Sequence, residues 1–121
     1  MKTIKLLFWL SGLYDFFLGI SFIIMPVSLF NLLKITPPNH WGYVTFAASM
    51  LAIFGIMFFQ IAKNPKDNKN LIPYGMLLKV AYCGTVFGFY FLASIPILWV
   101  IFGIFDFLFL LSFVWAYKQL N

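Results

Sequence analysis

Three ionisable side chains lie inside long, mostly apolar stretches of the sequence: Asp15, Lys79 and Asp106. Inserting a charged side chain at the centre of a bilayer costs about 2.5–3.5 kcal/mol of free energy. Each of these residues is therefore expected to pair with another group or to have a functional role. Lys79 can neutralise one carboxylate. The other carboxylate can carry a proton, accept a hydrogen bond from Tyr14 or Tyr82, or hold a cation, and two acids beside one lysine titrate as a coupled unit. These five residues are the candidate ligand- or proton-binding residues.

Helix geometry predicts that the three charges lie at a similar depth. At 1.5 Å per residue, Asp15 lies about 15 Å from one membrane edge, Lys79 about 12 Å and Asp106 about 16 Å from the same edge. We therefore predict a buried Asp–Lys–Asp cluster formed by three helices. A structural interpretation stays open, in which the cluster only fixes the register of the helices.

The composition of the chain explains why these charges are expected inside a membrane. The chain has 121 residues, of which 64% are hydrophobic and 9% are charged, whereas globular proteins carry about 25% charged residues. A soluble protein of this length has no core large enough to bury so much apolar surface, but a bilayer solvates the outer faces of its helices. We therefore expect a single integral membrane domain over residues 1–121.

Four runs of sequence are long and apolar enough to cross a bilayer, which takes about 20 residues each. They cover residues 4–25, 41–62, 71–92 and 97–117. Proline-containing or polar segments separate them, because proline cannot donate an amide hydrogen bond and polar residues leave the hydrocarbon. The predicted fold is all-α, a four-helix transmembrane bundle.

Residues 26–35 predict a short amphipathic helix after the first span. Ser28, Asn31 and Lys34 recur every three residues, with apolar residues between them, and Pro26 suits a first helical turn. Such a helix lies flat in the membrane interface. The alternative is that the first span continues beyond a proline kink.

The distribution of the lysines predicts the orientation in the membrane. Six lysines fall on one side of the predicted spans, and only Lys34 falls on the other; the six are Lys2, Lys5, Lys63, Lys66, Lys69 and Lys118. Positively charged loops stay in the cytoplasm, so both termini are expected there.

Other kinds of site find little support in the sequence. His40 is the only histidine and Cys83 the only cysteine, too few for a metal or haem site. No nucleophile–base set is present, so we expect a non-enzymatic protein without cofactor or metal. The chain has no arginine, which argues against nucleic acid as a partner.

The sequence resembles the small four-helix bacterial inner-membrane proteins loosely grouped as DoxX-like. The resemblance covers most of the chain and depends on loose motifs: Tyr14 and Gly19 followed by Pro26 and Phe30, Asn64-Pro65 in the loop, Gly75 through Lys79, and the acid Asp106. It implies the four-helix architecture and bacterial membrane location, but no agreed activity.

A weaker resemblance is to the small multidrug resistance transporters, through the length, the four spans and the early intramembrane acid. It implies that Asp15 exchanges protons for cationic drugs within a dimer. The sequence departs from that family, whose acid is glutamate and whose glycine-rich signatures in the third and fourth helices are not found here. Lys79 would also repel a cationic substrate.

We therefore expect a polytopic membrane protein that binds or translocates a small ligand or proton through Asp15, Lys79 and Asp106. The alternative is a structural or accessory subunit of a larger membrane complex. The expected partners are the lipid bilayer and either a second copy of the chain or another membrane protein.

Overall fold

The computed structural model describes residues 1–120, and these residues form helices joined by short loops, without a strand. The α-helices are α1 (Lys2–Ile24), α2 (Pro26–Leu32), α3 (Trp41–Lys63), α4 (Ile72–Leu92) and α5 (Ile97–Gln119), and a 3₁₀ turn (Lys69–Leu71) precedes α4. Four of these helices are long and apolar enough to cross a membrane. The predicted all-α fold with four membrane-length helices is confirmed.

The helix boundaries agree with the predicted spans to within about three residues, the usual uncertainty of helix ends. α1 ends at Ile24, and Met25 leaves the helical conformation (φ −127°, ψ 47°) before Pro26 begins α2. The chain therefore starts a new helix at this proline. α2 ends at Leu32, three residues before the predicted end at residue 35.

The helices form two compact units, one from Met1 to Lys63 and one beginning at Asn64. The first unit contains α1, α2 and α3. Rings of α1 and α3 meet in it, with Phe8 6.1 Å from Phe58 and Trp9 5.2 Å from Phe59 between centroids. The single membrane domain expected from the sequence stays a prediction.

A Schellman motif ends α2 and uses a lysine where glycine is usual. The Ile35 N–H donates to the Phe30 carbonyl at 2.9 Å and the Lys34 N–H donates to the Asn31 carbonyl at 3.3 Å. Lys34 takes the left-handed conformation (φ 57°) that this motif requires. Phe30 and Ile35 are both buried, at the two positions where a hydrophobic contact often accompanies this motif.

Some apolar residues of α2 pack against the rest of the first unit, and others are exposed. The Phe30 ring packs edge-to-face against Phe22 and Trp41, with centroids at 6.1 and 5.1 Å. Val27 and Leu33 are exposed. An apolar surface beside exposed polar residues is the pattern expected of a helix in the membrane interface.

His40 caps α3, a role that was not predicted from the sequence. Its Nδ1 accepts a hydrogen bond from the Gly42 N–H at 2.9 Å. The first turn of a helix leaves its amides without intrahelical acceptors, and the imidazole supplies one.

The second unit is a hairpin of α4 and α5. Residues 93–96 connect them, with Ala93 extended (φ −153°, ψ 161°) and Pro96 directly before α5. So short a connection makes the two helices antiparallel neighbours. Asn64 organises the loop before α4 through two hydrogen bonds. Its side-chain N–H donates to the Asp67 carboxylate at 2.8 Å, and its side-chain oxygen accepts from the Asp67 backbone N–H at 3.2 Å.

Candidate functional site

Lys79 and Asp106 form an ion pair between α4 and α5. The Lys79 Nζ donates to the Asp106 Oδ1 at 3.1 Å, and the side-chain exposures are 0% and 6%. Both residues lie within membrane-length helices, eight or more residues from the connecting turn. The predicted pairing of this lysine with a carboxylate on another helix is confirmed.

An aromatic ring lies beside the ammonium group of this pair. The Phe109 ring centroid lies 5.3 Å from the Lys79 Nζ, within the range of a cation–π interaction. Such a ring gives the ammonium group a second electrostatic partner without adding another charge. Removal of either charge would leave the other buried in a medium of low dielectric constant.

Two further hydrogen bonds join α4 to α5 on the side of the ion pair nearer the turn. The Tyr82 hydroxyl donates to the Trp99 carbonyl at 3.1 Å, and the Cys83 thiol donates weakly to the Gly103 carbonyl at 3.4 Å. Tyr82, predicted as a possible donor to a carboxylate, thus directs its hydroxyl to a backbone oxygen. The donor role of Cys83 was not predicted from the sequence.

The backbone of Gly103 makes the close approach of these helices possible. A Cβ atom at this position would lie 3.2 Å from the Val86 Cγ1 and 3.3 Å from the Phe87 ring. Gly103 is one turn before Asp106, so the closest packing and the buried carboxylate occur on the same face of α5.

Asp15 lies in the first unit and is buried, with 1% of its surface exposed. Ser11, one turn earlier on the same face of α1, is fully buried. Its hydroxyl oxygen finds no hydrogen-bond acceptor or donor among residues 1–120. Buried polar groups usually have a partner, so the hydroxyl of Ser11 is an exception to that rule. Tyr14 is only partly buried, although its hydroxyl oxygen is inaccessible to solvent.

Close packing against α3 fixes the face of α1 that carries Asp15. A Cβ atom at Gly19 would lie 2.5 Å from the Ala48 carbonyl and 2.7 Å from the Ala52 amide. A Cβ atom at Gly55 would lie 2.7 Å from the Phe16 amide. Small residues on facing helices allow this kind of close approach.

The predicted site residues therefore divide between the two units. Lys79, Asp106 and Tyr82 belong to the second unit, whereas Asp15 and Tyr14 belong to the first. The structure brings Lys79 and Asp106 together. The placement of Asp15 beside that pair stays a prediction from helix depth.

Comparisons of the chain with protein-family models, with curated proteins and with solved structures found no match.

Proposed function

We propose that this chain is a multi-pass protein of the bacterial inner membrane, with both termini in the cytoplasm, that binds or translocates a proton or small ligand through its intramembrane ionisable residues. The observation that supports the proposal is the buried ion pair of Lys79 and Asp106. Ionisable residues inside membrane helices are costly, and they mark ion pathways or proton relays more often than packing positions. The resemblance to DoxX-like proteins supports the location but adds no substrate.

The chemistry available to the pair is proton exchange or anion binding. Transfer of a proton from the Lys79 ammonium to the Asp106 carboxylate would leave two neutral groups in contact. A ligand with a carboxylate or phosphate group would compete with Asp106 for the same ammonium. Asp15 supplies a second carboxylate, and the Ser11 hydroxyl supplies a donor one turn away.

Proton flux in proteoliposomes tests this proposal directly. Purified protein is reconstituted with a pH-sensitive dye inside the vesicles, and a pH step is applied outside. We expect faster proton entry than in protein-free vesicles, and a loss of most of this increase in D15N, K79M and D106N. Ser112→Ala is the matched control, because its hydroxyl bonds only the Leu108 carbonyl of its own helix among the contacts described for it.

Two results would contradict the proposal. One is a wild-type rate equal to that of empty vesicles, both for protons and for a panel of small carboxylates and phosphates. The other is unchanged flux in all three charge variants when circular dichroism shows that they are folded.

A structural role is the second candidate, and it also has an observation in its favour. The Lys79–Asp106 pair and the bonds of Tyr82 and Cys83 to α5 all tie the same two helices together. In an accessory subunit, these bonds would fix the packing of α4 on α5 so that the outer faces of the two helices can bind a partner protein. It predicts that K79M and D106N lose stability or partner association in native membranes, while the wild type shows no flux.

The charge exchange K79D/D106K separates the two candidates further. It retains opposite charges at the two positions, so a structural pair regains most of the stability that the single variants lose. A relay that depends on which helix carries the acid does not regain its flux.

A further inference from the structure

Three lysines lie at one end of the second unit and form what we term the lysine end: Lys66, Lys69 and Lys118. Lys66 and Lys118 are exposed, and Lys69 is partly buried. One aspartate, Asp67, lies among them, so the lysine end has a net positive charge.

A cation–π contact joins the two parts of the chain that form the lysine end, the loop before α4 and the last turn of α5. The Lys69 Nζ lies 4.5 Å from the centroid of the Tyr117 ring. Lys69 begins the turn before α4, while Tyr117 is in the last turns of α5. Lys118 follows Tyr117 directly, so the contact brings lysines from the loop and from α5 to the same end of the hairpin.

The loop that carries Lys66 has a defined conformation. Asn64 bonds the Asp67 side chain and amide, and the Asn68 side chain donates to the Asn64 carbonyl at 3.0 Å. Pro65 is fully buried. This framework holds Lys66 at the surface, and the hydrogen bond from Asn64 occupies an oxygen of the Asp67 carboxylate.

The position of the lysine end in the fold identifies its partner. α4 and α5 are both long enough to span a bilayer, so the ends of these helices lie at the level of the lipid headgroups. Lysine is a compact cation that binds phosphate as a point charge, and lysines beside a membrane helix attract anionic lipids. We propose that the lysine end binds the phosphate groups of anionic phospholipids, independently of what the intramembrane residues do.

Lipid selectivity in mixed bilayers tests this proposal. The protein is reconstituted in phosphatidylcholine containing a small fraction of spin-labelled phosphatidylglycerol, and the immobilised fraction of label is measured by electron paramagnetic resonance. We expect the wild type to prefer phosphatidylglycerol to labelled phosphatidylcholine, by up to about fivefold per contributing lysine. The preference should largely disappear at about 1 M salt, where the Debye length is about 3 Å.

The variant K66Q/K118Q leaves the Lys69–Tyr117 contact in place and should lose most of the preference. K69Q should lose part of it. The matched control is K34Q, which removes the same charge at the lysine between α2 and α3 and should retain the full preference.

Equal preference in wild type and K66Q/K118Q would overturn the proposal, as would an equal loss in K34Q. A preference that survives high salt would also overturn it, since it would come from lipid packing. All variants are compared only after their circular dichroism spectra match that of the wild type.

Discussion

At the scale of single residues, Lys79 explains how charges can be stable within these helices. Its ammonium group has a carboxylate at 3.1 Å and an aromatic ring at 5.3 Å, and its side chain is fully buried. The carboxylate of Asp106 is nearly as buried, so water does not solvate either charged group. Each charge is therefore stable only while the other is present.

We predict that Lys79→Met lowers the free energy of unfolding by about 3 kcal/mol, because it leaves a buried carboxylate without its ammonium partner. K79M/D106L, which removes both charges, should lose less than K79M alone. Unfolding in mixed micelles, followed by circular dichroism, measures both. Ser112→Ala on α5 should change the stability by less than about 0.5 kcal/mol, and a K79M variant as stable as S112A would contradict the prediction.

At the scale of elements, glycine decides how closely α1 and α3 pack. Gly12, Gly19 and Gly55 all lie where an added Cβ would meet an atom of the facing helix within 3 Å. Gly84 and Gly88 form a GxxxG pattern on α4, yet an added Cβ there would meet no atom of the described residues within 4 Å. The same residue type thus serves close packing in α1 and α3 and has no such role at Gly84 and Gly88 of α4.

We predict that Gly19→Ala destabilises the protein by about 1–3 kcal/mol, because the new methyl group lies 2.5 Å from the Ala48 carbonyl and backbone atoms cannot move aside cheaply. Gly84→Ala is the control at a helical glycine with open space. It should be neutral or stabilising by up to about 1 kcal/mol, since alanine is the better helix former. Thermal unfolding in detergent compares the two, and equal effects would refute the assigned packing.

The end of α2 allows a stabilising substitution. Lys34 pays about 1–2 kcal/mol for a left-handed backbone that glycine adopts freely. We predict that Lys34→Gly raises the free energy of unfolding by about 1 kcal/mol, as measured by the same unfolding assay.

Lys34→Ala is the control for that prediction, because it removes the same side chain but keeps the Cβ atom. It should show no gain. A gain of equal size in K34A would assign the effect to the lost charge instead of the backbone.

At the scale of the whole molecule, the four membrane-length helices make this a multi-pass membrane protein. An even number of spans returns the chain to the side on which it started. We therefore expect the lysines of the loop between α3 and α4 on the side of both termini, and Lys34 on the other.

We predict that a cysteine at Lys66 reacts with a membrane-impermeant maleimide only in inverted inner-membrane vesicles, and a cysteine at Lys34 only in right-side-out vesicles. The reason is the orientation that positively charged loops impose. The wild type is the background control, because its single cysteine, Cys83, is buried. The opposite labelling pattern, or labelling of both positions from one side, would disprove the predicted topology.

The amino-acid sequence by itself determined the class of the protein and the approximate ends of its helices. A long apolar run predicts a membrane helix without knowledge of the rest of the chain. A helix of about 20 such residues makes all of its backbone hydrogen bonds internally and needs only lipid around it. The burial of Asp15, Lys79 and Asp106 followed from the same reasoning, since a charge within such a run cannot remain unpartnered.

The atoms that meet could not be predicted from the sequence. Helix depth alone does not say which groups Lys79 contacts, whereas the packing of α4 on α5 sets its 3.1 Å contact with Asp106. The hydrogen bonds of Tyr82 and Cys83 to α5 carbonyls, the cap by His40 and the difference between Gly19 and Gly84 were also beyond the sequence. Each depends on the rotation and separation of two helices, and these are fixed by side chains far apart in the chain.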